Sequence, residues 1–442
     1  MPGIHTEQTF EDAIEQELLT NGGYVKGFPE DFDRELAIDK KTLISFLKTS
    51  QPKEWQKLEN IHGPSIESNV INRIIKVIAN QGCLEMIRKG FTDYGVNFKM
   101  AFFKPETGLN PDIQWLYDSN ILTVTRQVKY TTKNENSVDM ALGLNGIPVA
   151  TVELKNPMTG QTVENAKKQF MFDRNPKELL FQFNKRALVH FTVDTDEAWM
   201  TTRLAVSKTT YLPFNLGFNT GKGNPPNPEG YRTDYLWKYV WAKDSWMDII
   251  GRFLHLQKEE VVVKGIKTIK EKMIFPRFHQ LDVVRRISAD AKQQGAGKNY
   301  LVQHSAGSGK SNSIAWLAYR LSSIHNNFDE RIFDSVVVVT DRKVLDNQLQ
   351  DTIYQFEHKR GVVKRIDKDS AQLAEAIYKG SNIVITTLQK FPFVIEKIAE
   401  MEKEDGDRAK RNYAVIVDEA HSSQGGESSR KLKEVLAGKN LE

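Results

Sequence analysis

A short apolar run, Tyr300–Val302, leads into His304-Ser305-Ala306-Gly307-Ser308-Gly309-Lys310-Ser311, and helical spacing through Ile314, Leu317 and Leu321 follows. This strand–loop–helix order restricts the fold more than any other stretch of the chain. It needs an α/β sheet whose strand tip delivers a loop to a helix N-terminus. Gly307 and Gly309 let the backbone turn N–H groups inward, and those of Gly307, Ser308 and Gly309 with the helix end create positive potential for phosphate oxygens. Lys310 is placed to reach the β- and γ-phosphates of a nucleotide, and the Ser311 hydroxyl to ligate Mg2+.

A second motif lies 108 residues beyond Lys310, where the apolar run Tyr413–Val417 ends in Asp418-Glu419-Ala420-His421. Carboxylates at the C-terminal tip of a buried parallel strand stand where open α/β sheets present their ligands. Asp418 would hold Mg2+ and Glu419 would activate an attacking water. Alone, either motif reads as a glycine-serine loop or a charged helix start. Together they predict ATP with Mg2+. The pair resembles superfamily 2 helicases and translocases of the DEAD/DEAH kind. Phe275-Pro276-Arg277-Phe278-His279-Gln280 sits where that family reads adenine, which implies Gln280 on the adenine edge. Val336–Thr340 followed by Asp341-Arg342, and Ile383–Thr387 followed by Leu388-Gln389-Lys390, resemble blocks that contact the DNA backbone. The resemblance implies that role for Thr340, Arg342, Thr386 and Thr387.

Another group of chemistry-bearing residues lies far upstream. Two strands, Val138–Leu144 and Ile147–Leu154, flank Asn145-Gly146, a strong hairpin signal because both residues tolerate positive φ. They carry Asp139, Glu153 and Lys155. A plain two-residue turn sets Asp139 across from Val152 and turns Glu153 to the other side. One extra residue in the turn, or a bulge, sets Asp139 across from Glu153 on one face. Gly143 and Pro148 suit such an irregularity, so the simple register is expected to be broken. Asp139 and Glu153 would then bind Mg2+, and Lys155 would orient or deprotonate the water and stabilise developing charge. The set resembles the PD-(D/E)xK nuclease core, with Val138 in place of its proline. That family's Gln-x-x-x-Tyr helix is partly matched by Gln169-Phe170-Met171-Phe172-Asp173-Arg174, which implies Gln169 and Arg174 as DNA-positioning residues. The helix Thr6–Leu19 offers one more carboxylate to the metal, with Glu15 favoured over Glu11.

A nuclease module ahead of a DEAH motor resembles the restriction (R) subunit of type I restriction-modification enzymes. The form His304-x-x-Gly307-Ser308-Gly309-Lys310 fits these subunits and accounts for a histidine where the strict phosphate loop has glycine. Asp418 through Gln424, Thr195 through Thr202, Leu212-Pro213-Phe214-Asn215 and Gly251 through His255 extend the likeness along nearly the whole chain. It implies an α/β chain with a PD-(D/E)xK endonuclease domain at 1–258, a linker at 259–272 and a first RecA-like motor domain with a parallel sheet at 273–442. It further implies double-stranded DNA and the modification and specificity subunits as partners, a cytoplasmic location, and cleavage of unmodified DNA after ATP-driven translocation. The second RecA-like domain is absent from the sequence, so an N-terminal fragment with weak ATP binding is expected. A type III or other helicase–nuclease fusion is the rival within the same class, although type III chains usually place the nuclease after the motor. A non-catalytic DNA-docking module is the rival from another class, and the intact Asp139, Glu153 and Lys155 argue against it.

Composition removes other classes. Hydrophobic residues make up 40% and charged residues 27% of the 442 residues, a globular balance. No apolar run approaches a membrane span, and the first residues carry no basic-then-apolar signal. Cys83 is the only cysteine, so no intrachain disulfide forms. The formal net charge of +4 is too small to argue nucleic-acid binding, so any DNA groove must be a local patch. Tyr235–Leu256 reads as one helix whose Trp237, Trp241 and Trp246 belong to the core. Asn215–Gly230, dense in Gly, Pro and Asn, reads as a loop, ordered or mobile.

Overall fold

The computed structural model describes residues 7–105, 111–263, 265–340, 349, 352–354, 362–366, 369–405, 411–420, 430, 432, 435 and 436. The chain forms two compact units that meet in sequence between Phe278 and His279. No helix among the described residues is long and apolar enough to cross a membrane.

The first unit opens with α1 (Glu7–Thr20), whose buried stripe is Phe10, Ile14 and Leu18. The short strands β1 (Val25–Lys26), β2 (Phe32–Asp33) and β3 (Ile38–Asp39) lead to α2 (Lys40–Ser50), α3 (Pro52–His62), α4 (Ile66–Gln81) and α5 (Cys83–Lys89). Asp39 caps α2 by accepting from the Thr42 N–H. The hairpin β4 (Phe91–Asp93)–β5 (Val96–Phe98) and α6 (Pro111–Asp118) precede the main sheet. Cys83 is buried on α5, and burial pushes its thiol up to about 12.

The sheet uses β6 (Leu122–Lys129), β7 (Ser137–Leu144), β8 (Ile147–Leu154), β9 (Val189–Val193), β10 (Ala198–Thr201) and β11 (Leu212–Pro213) in the order β1-β6-β7-β8-β9-β10-β11. β8 and β9 run parallel, whereas β6, β7 and β8 are antiparallel neighbours. α7 (Val163–Lys168), starting at a Thr162–Asn165 capping box, provides the crossover from β8 to β9. Every residue of β8 is buried, so covered faces rather than alternation shape its composition. The tryptophans Trp237, Trp241 and Trp246 are core, and the rings of Trp241 and Trp246 pack on Phe191. The single helix expected over Tyr235–Leu256 is broken. Ala242 is extended, α8 covers only Lys243–Asp248 between two π-helical turns, and His255 begins a strand. The Asn215–Gly230 loop is pinned by Asn224, which donates to Asp196 and Asn215 and accepts from the Leu216 N–H.

The stretch 259–272, expected as a linker, is part of a two-stranded ribbon, β12 (His255–Val263) and β13 (Ile266–Ile274), in continuous register from His255–Ile274 to Val263–Ile266. The strands combine β-branched residues, Val261–Val263 and Ile266, Thr268 and Ile269, with exposed charged ones, a composition that suits a ladder wet on both sides and explains why charge alone misread it.

The second unit begins with α9 (Phe278–Gln294) and α10 (Lys310–Ser322). Its sheet is wholly parallel, in the order β15 (Val363–Arg365), β16 (Ile383–Thr387), β14 (Ser335–Thr340), β17 (Tyr413–Val417). Val337, Val339 and Val384 pack on Leu373 and Ile377 of the helix Ser370–Lys379 and on Phe391. The chain is thus mixed α/β with a parallel sheet behind the phosphate loop. Tyr300–Val302 corrects an expectation: it forms no strand, and Leu301 is 88% exposed. Three residues between glycines and the loop gain little from a ladder, and the Tyr300 hydroxyl bonds Asp290 of α9 instead.

Candidate active sites

The β7–β8 hairpin keeps the two-residue register only near its turn. Leu144 pairs with Ile147 and Gly143 with Pro148, but Leu142 pairs with Ala150, Ala141 with Thr151 and Met140 with Val152. Val149 is the extra residue, and the shift carries Asp139 to the same face as Glu153. Gly143 is required there, because a Cβ would lie 2.3 Å from the Thr123 hydroxyl oxygen. Asp139 Oδ2 accepts from the Leu154 N–H at 2.8 Å, and Lys155 Nζ stands 3.8 Å from the same oxygen.

Glu153 is fully buried, and its Oε1 accepts from Arg174 Nε at 2.6 Å. Its other oxygen, Oε2, finds no donor among the described residues. Burial raises the Glu153 carboxyl well above the carboxylate range, Asp139 adds to the rise, and Arg174 opposes it. Arg174 also donates to the Ser137 carbonyl and lies over the Tyr130 ring. The buried guanidinium is therefore turned inward, not toward a DNA surface as expected. The π-helical turn Gln169–Asp173, with Phe170 buried, aims it there. Gln169 lies half-buried in that turn.

α1 contributes carboxylates, but not the one expected. Oxygens of Glu7, Glu11 and Asp139 lie within 4.8 Å of one another. Lys155 Nζ donates to Glu7 Oε1 at 3.2 Å. Glu15, two turns along the same helical face, is instead bound by Lys26 and Arg126. Helix rise explains the correction, since four residues carry a side chain about 6 Å along the axis. Arg126 and Gln127 of β6 hold Glu11. Burial raises the Glu11 carboxyl, Arg126 opposes the rise and Asp139 adds to it. Sequence reasoning missed Glu7, Arg126 and Gln127; the four-residue spacing of Glu7, Glu11 and Glu15 was the available signal.

In the second unit Gly307 and Gly309 have φ of +71° and +84°, the left-handed region that their loop requires. Ser308 is buried, and Lys310 and Ser311 form the first turn of α10. Lys310 Nζ lies 2.9 Å from Asp418 Oδ1 and also bonds Glu419, so the two motifs meet. Burial alone would lower the Lys310 ammonium; the hydrogen bonds to Glu419 and Asp418 outweigh it and raise it. Asp418 is docked on the sheet through its N–H to the Val339 carbonyl.

Gln280, expected on an adenine edge, is buried and donates to the carbonyls of Gly309 at 2.8 Å and Ser308 at 3.2 Å. His304 Nδ1 meets the Ser308 hydroxyl at 3.1 Å. Thr340, Thr386 and Thr387 stand at the strand tips but are buried, so their side chains are not the open DNA-backbone contacts expected. Parallel strands covered on both faces bury even their last residues. Arg342 and His421 lie outside the described residues.

Two known families match consecutive parts of the chain: the type I restriction enzyme R protein N terminus over residues 5–209, and the SWI2/SNF2 ATPase over residues 279–441. A putative type I restriction enzyme MjaVIIIP endonuclease subunit of Methanocaldococcus jannaschii is 23% identical over 72% of this chain and 30% of its own. The type I restriction enzyme HindI endonuclease subunit of Haemophilus influenzae is 23% identical over 82% of this chain and 34% of its own. The C-terminal part of a putative MpnIIP endonuclease subunit of Mycoplasma pneumoniae is 29% identical over 35% of this chain and 71% of its own. The chain thus spans about a third of the length of the first two relatives. A match to the R-protein N terminus of type I restriction enzymes followed by a match to a SWI2/SNF2 ATPase, with relatives named as type I restriction endonuclease subunits, supports an R subunit of a type I restriction-modification system.

Proposed function

We propose that this chain carries the Mg2+-dependent endonuclease and the first ATP-binding lobe of a DNA translocase. In a complex with modification and specificity subunits it would cut unmodified double-stranded DNA after ATP-driven translocation. The first unit is then a PD-(D/E)xK endonuclease domain and the second a RecA-like motor domain. One observation carries the reading: a one-residue register shift gathers Asp139, Glu153 and Lys155, and α1 adds Glu7 and Glu11.

The residues fit a hard divalent ion. Three carboxylates offer oxygens within 4.8 Å of one another, and Glu153 Oε2 is a buried oxygen without a donor. Mg2+, when bound, supplies charge neutralisation at the scissile phosphate and a more acidic attacking water. Asp139 and Glu153 would hold it, with Glu11 beside them. Lys155, kept in place by Glu7 and the Leu154 carbonyl, would orient the water and stabilise charge on the phosphate oxygens. Arg174 keeps Glu153 aligned and compensates its charge.

In the second unit Lys310 would bind the β- and γ-phosphates of ATP within the cradle of Gly307, Ser308 and Gly309. Ser311 and Asp418 would hold Mg2+, and Glu419 would orient the attacking water. Phosphates arriving at the loop would take Lys310 from its two carboxylates.

The test uses an R subunit carrying this chain, assembled with its modification and specificity subunits, on a supercoiled plasmid with an unmethylated site. Glu153→Ala or Lys155→Ala should abolish cutting and leave ATP hydrolysis. Lys310→Ala should abolish both. Cutting by either nuclease variant would remove the nuclease assignment, and ATP-dependent cutting at the wild-type rate by Lys310→Ala would remove the motor assignment.

A further inference from the structure

A basic segment lies inside the first unit. Residues 40–99 hold ten Lys and Arg against five Asp and Glu, whereas the whole chain holds 61 against 57. This segment is the α2–α5 helical block with the β4–β5 hairpin. Between α4, α5 and the hairpin lies an open groove of about 690 Å³. Its cations are Arg73, Lys89 and Lys99, and no carboxylate lines it among the described residues. Asn80 and Asn97 add amide groups to its rim. Beneath it Phe91 and Phe98 are buried and stack at 5.2 Å with their planes 7° apart. Gly90 (φ +80°) lets the two strands close, since a Cβ there would meet the Phe98 carbonyl oxygen at 1.8 Å.

The three cations are weakly committed. Arg73 Nε donates to the Thr92 carbonyl at 2.9 Å and stands 4.0 Å from Asp93 Oδ1, a long pair on a guanidinium that is itself exposed. Lys89 pairs with Glu85 one turn away at the surface, a pair of small net worth. Among the described residues expected from sequence to touch DNA, Arg174 faces Glu153 and Thr340, Thr386 and Thr387 are buried.

We propose that this groove is a docking site for the phosphate backbone of duplex DNA, separate from the carboxylate cluster that would cut it. Cations on an amide-rich rim suit phosphate oxygens and read no base, in keeping with a subunit whose sequence recognition is delegated. The proposal rests on the reading of the first unit as a DNA nuclease.

The experiment measures binding of the full chain to a fluorescein-labelled duplex of arbitrary sequence, in EDTA, over a range of salt. Each lost phosphate contact should lower the slope of log affinity against log salt by about 0.9. The Arg73→Ala/Lys89→Ala/Lys99→Ala variant should therefore lose about two to three from the slope and bind about tenfold or more weakly at low salt. Lys53→Ala/Lys57→Ala removes exposed charges of α3 outside the groove and should leave the slope nearly unchanged. Equal unfolding midpoints would show that both variants fold. A wild-type slope in the triple variant, or an equal fall in the α3 variant, overturns the groove. No turnover is read, so failure of the cleavage test above leaves this result standing.

Discussion

Arg174 Nε donates to Glu153 Oε1 at 2.6 Å where the carboxylate is wholly shielded and the guanidinium nearly so. This pair does two things. It makes a buried carboxylate tolerable, and it leaves the second oxygen of Glu153 without a donor among the described residues. Breaking a buried pair by removing one partner typically costs about 3–5 kcal/mol, through an uncompensated charge or, as the raised Glu153 carboxyl allows, through protonation of the partner and loss of its hydrogen bond. Arg174→Met should therefore destabilise the first unit by about that amount. Urea unfolding followed by tryptophan fluorescence would measure it. A loss below about 1 kcal/mol would place the Arg174 side chain in water.

The α1 carboxylates can be ranked. Glu11 shares oxygen proximity with Asp139 and Glu7, whereas Glu15 serves Lys26 and Arg126. Glu11→Gln should lower Mg2+-dependent cleavage by about tenfold or more, as expected when a metal-site group loses charge. Glu15→Gln should leave it within about twofold. The comparison is made by plasmid cleavage over a Mg2+ titration, where loss of a ligand appears as a higher Mg2+ requirement.

Gln280 offers a test of loop support against base reading. It donates to the Gly309 and Ser308 carbonyls. Removing one or two such hydrogen bonds costs about 0.5–1.5 kcal/mol each. Gln280→Ala should weaken ATP and GTP by the same factor, between about twofold and a hundredfold. Titration with fluorescent analogues of both nucleotides checks this. A selective loss for ATP would mean that the side chain reads adenine.

His190 sets a pH dependence. It is buried beside Phe170 and Phe181, and its Nδ1 meets the Thr151 hydroxyl at 2.7 Å. Burial lowers its pKa to about 3. The unfolded chain, with an ordinary imidazole near pH 6.5, binds a proton that the folded chain refuses. The stability this group allows is thus full above about pH 6.5 and falls as pH drops toward about 3. Between pH 7 and 5 it should amount to about 2 kcal/mol. His190→Gln should flatten that part of the urea-denaturation profile, and an unchanged slope would refute the buried neutral ring.

Much of this arrangement is legible in the sequence. The side of the sheet on which Asp139 and Glu153 stand followed from counting residues around Asn145-Gly146 and from the irregularity that Gly143 and Pro148 invite. A strand has a period of two, so one bulged residue decides the face. The meeting of Lys310 with Asp418 and Glu419 followed from pairing the glycine-rich loop motif with the acidic motif at the tip of β17. The choice between Glu11 and Glu15 was beyond reach, because both lie on one helical face and only the docking of α1 on β6 separates them. The same limit applies to Arg174, whose inward turn depends on a π-helical segment that no periodicity announces. The charged residues of 259–272 fit a tether as well as a ribbon, and nothing in their charge announces the pairing of β12 with β13.

The lone thiol has a practical outcome. Cys83 is sealed on α5 with its acidity suppressed, so thiol-reactive reagents near neutral pH will pass it by. A cysteine introduced on the rim of the Arg73 groove would then accept a maleimide dye alone, and its emission would report from that single spot without first stripping the native sulfur from the sequence.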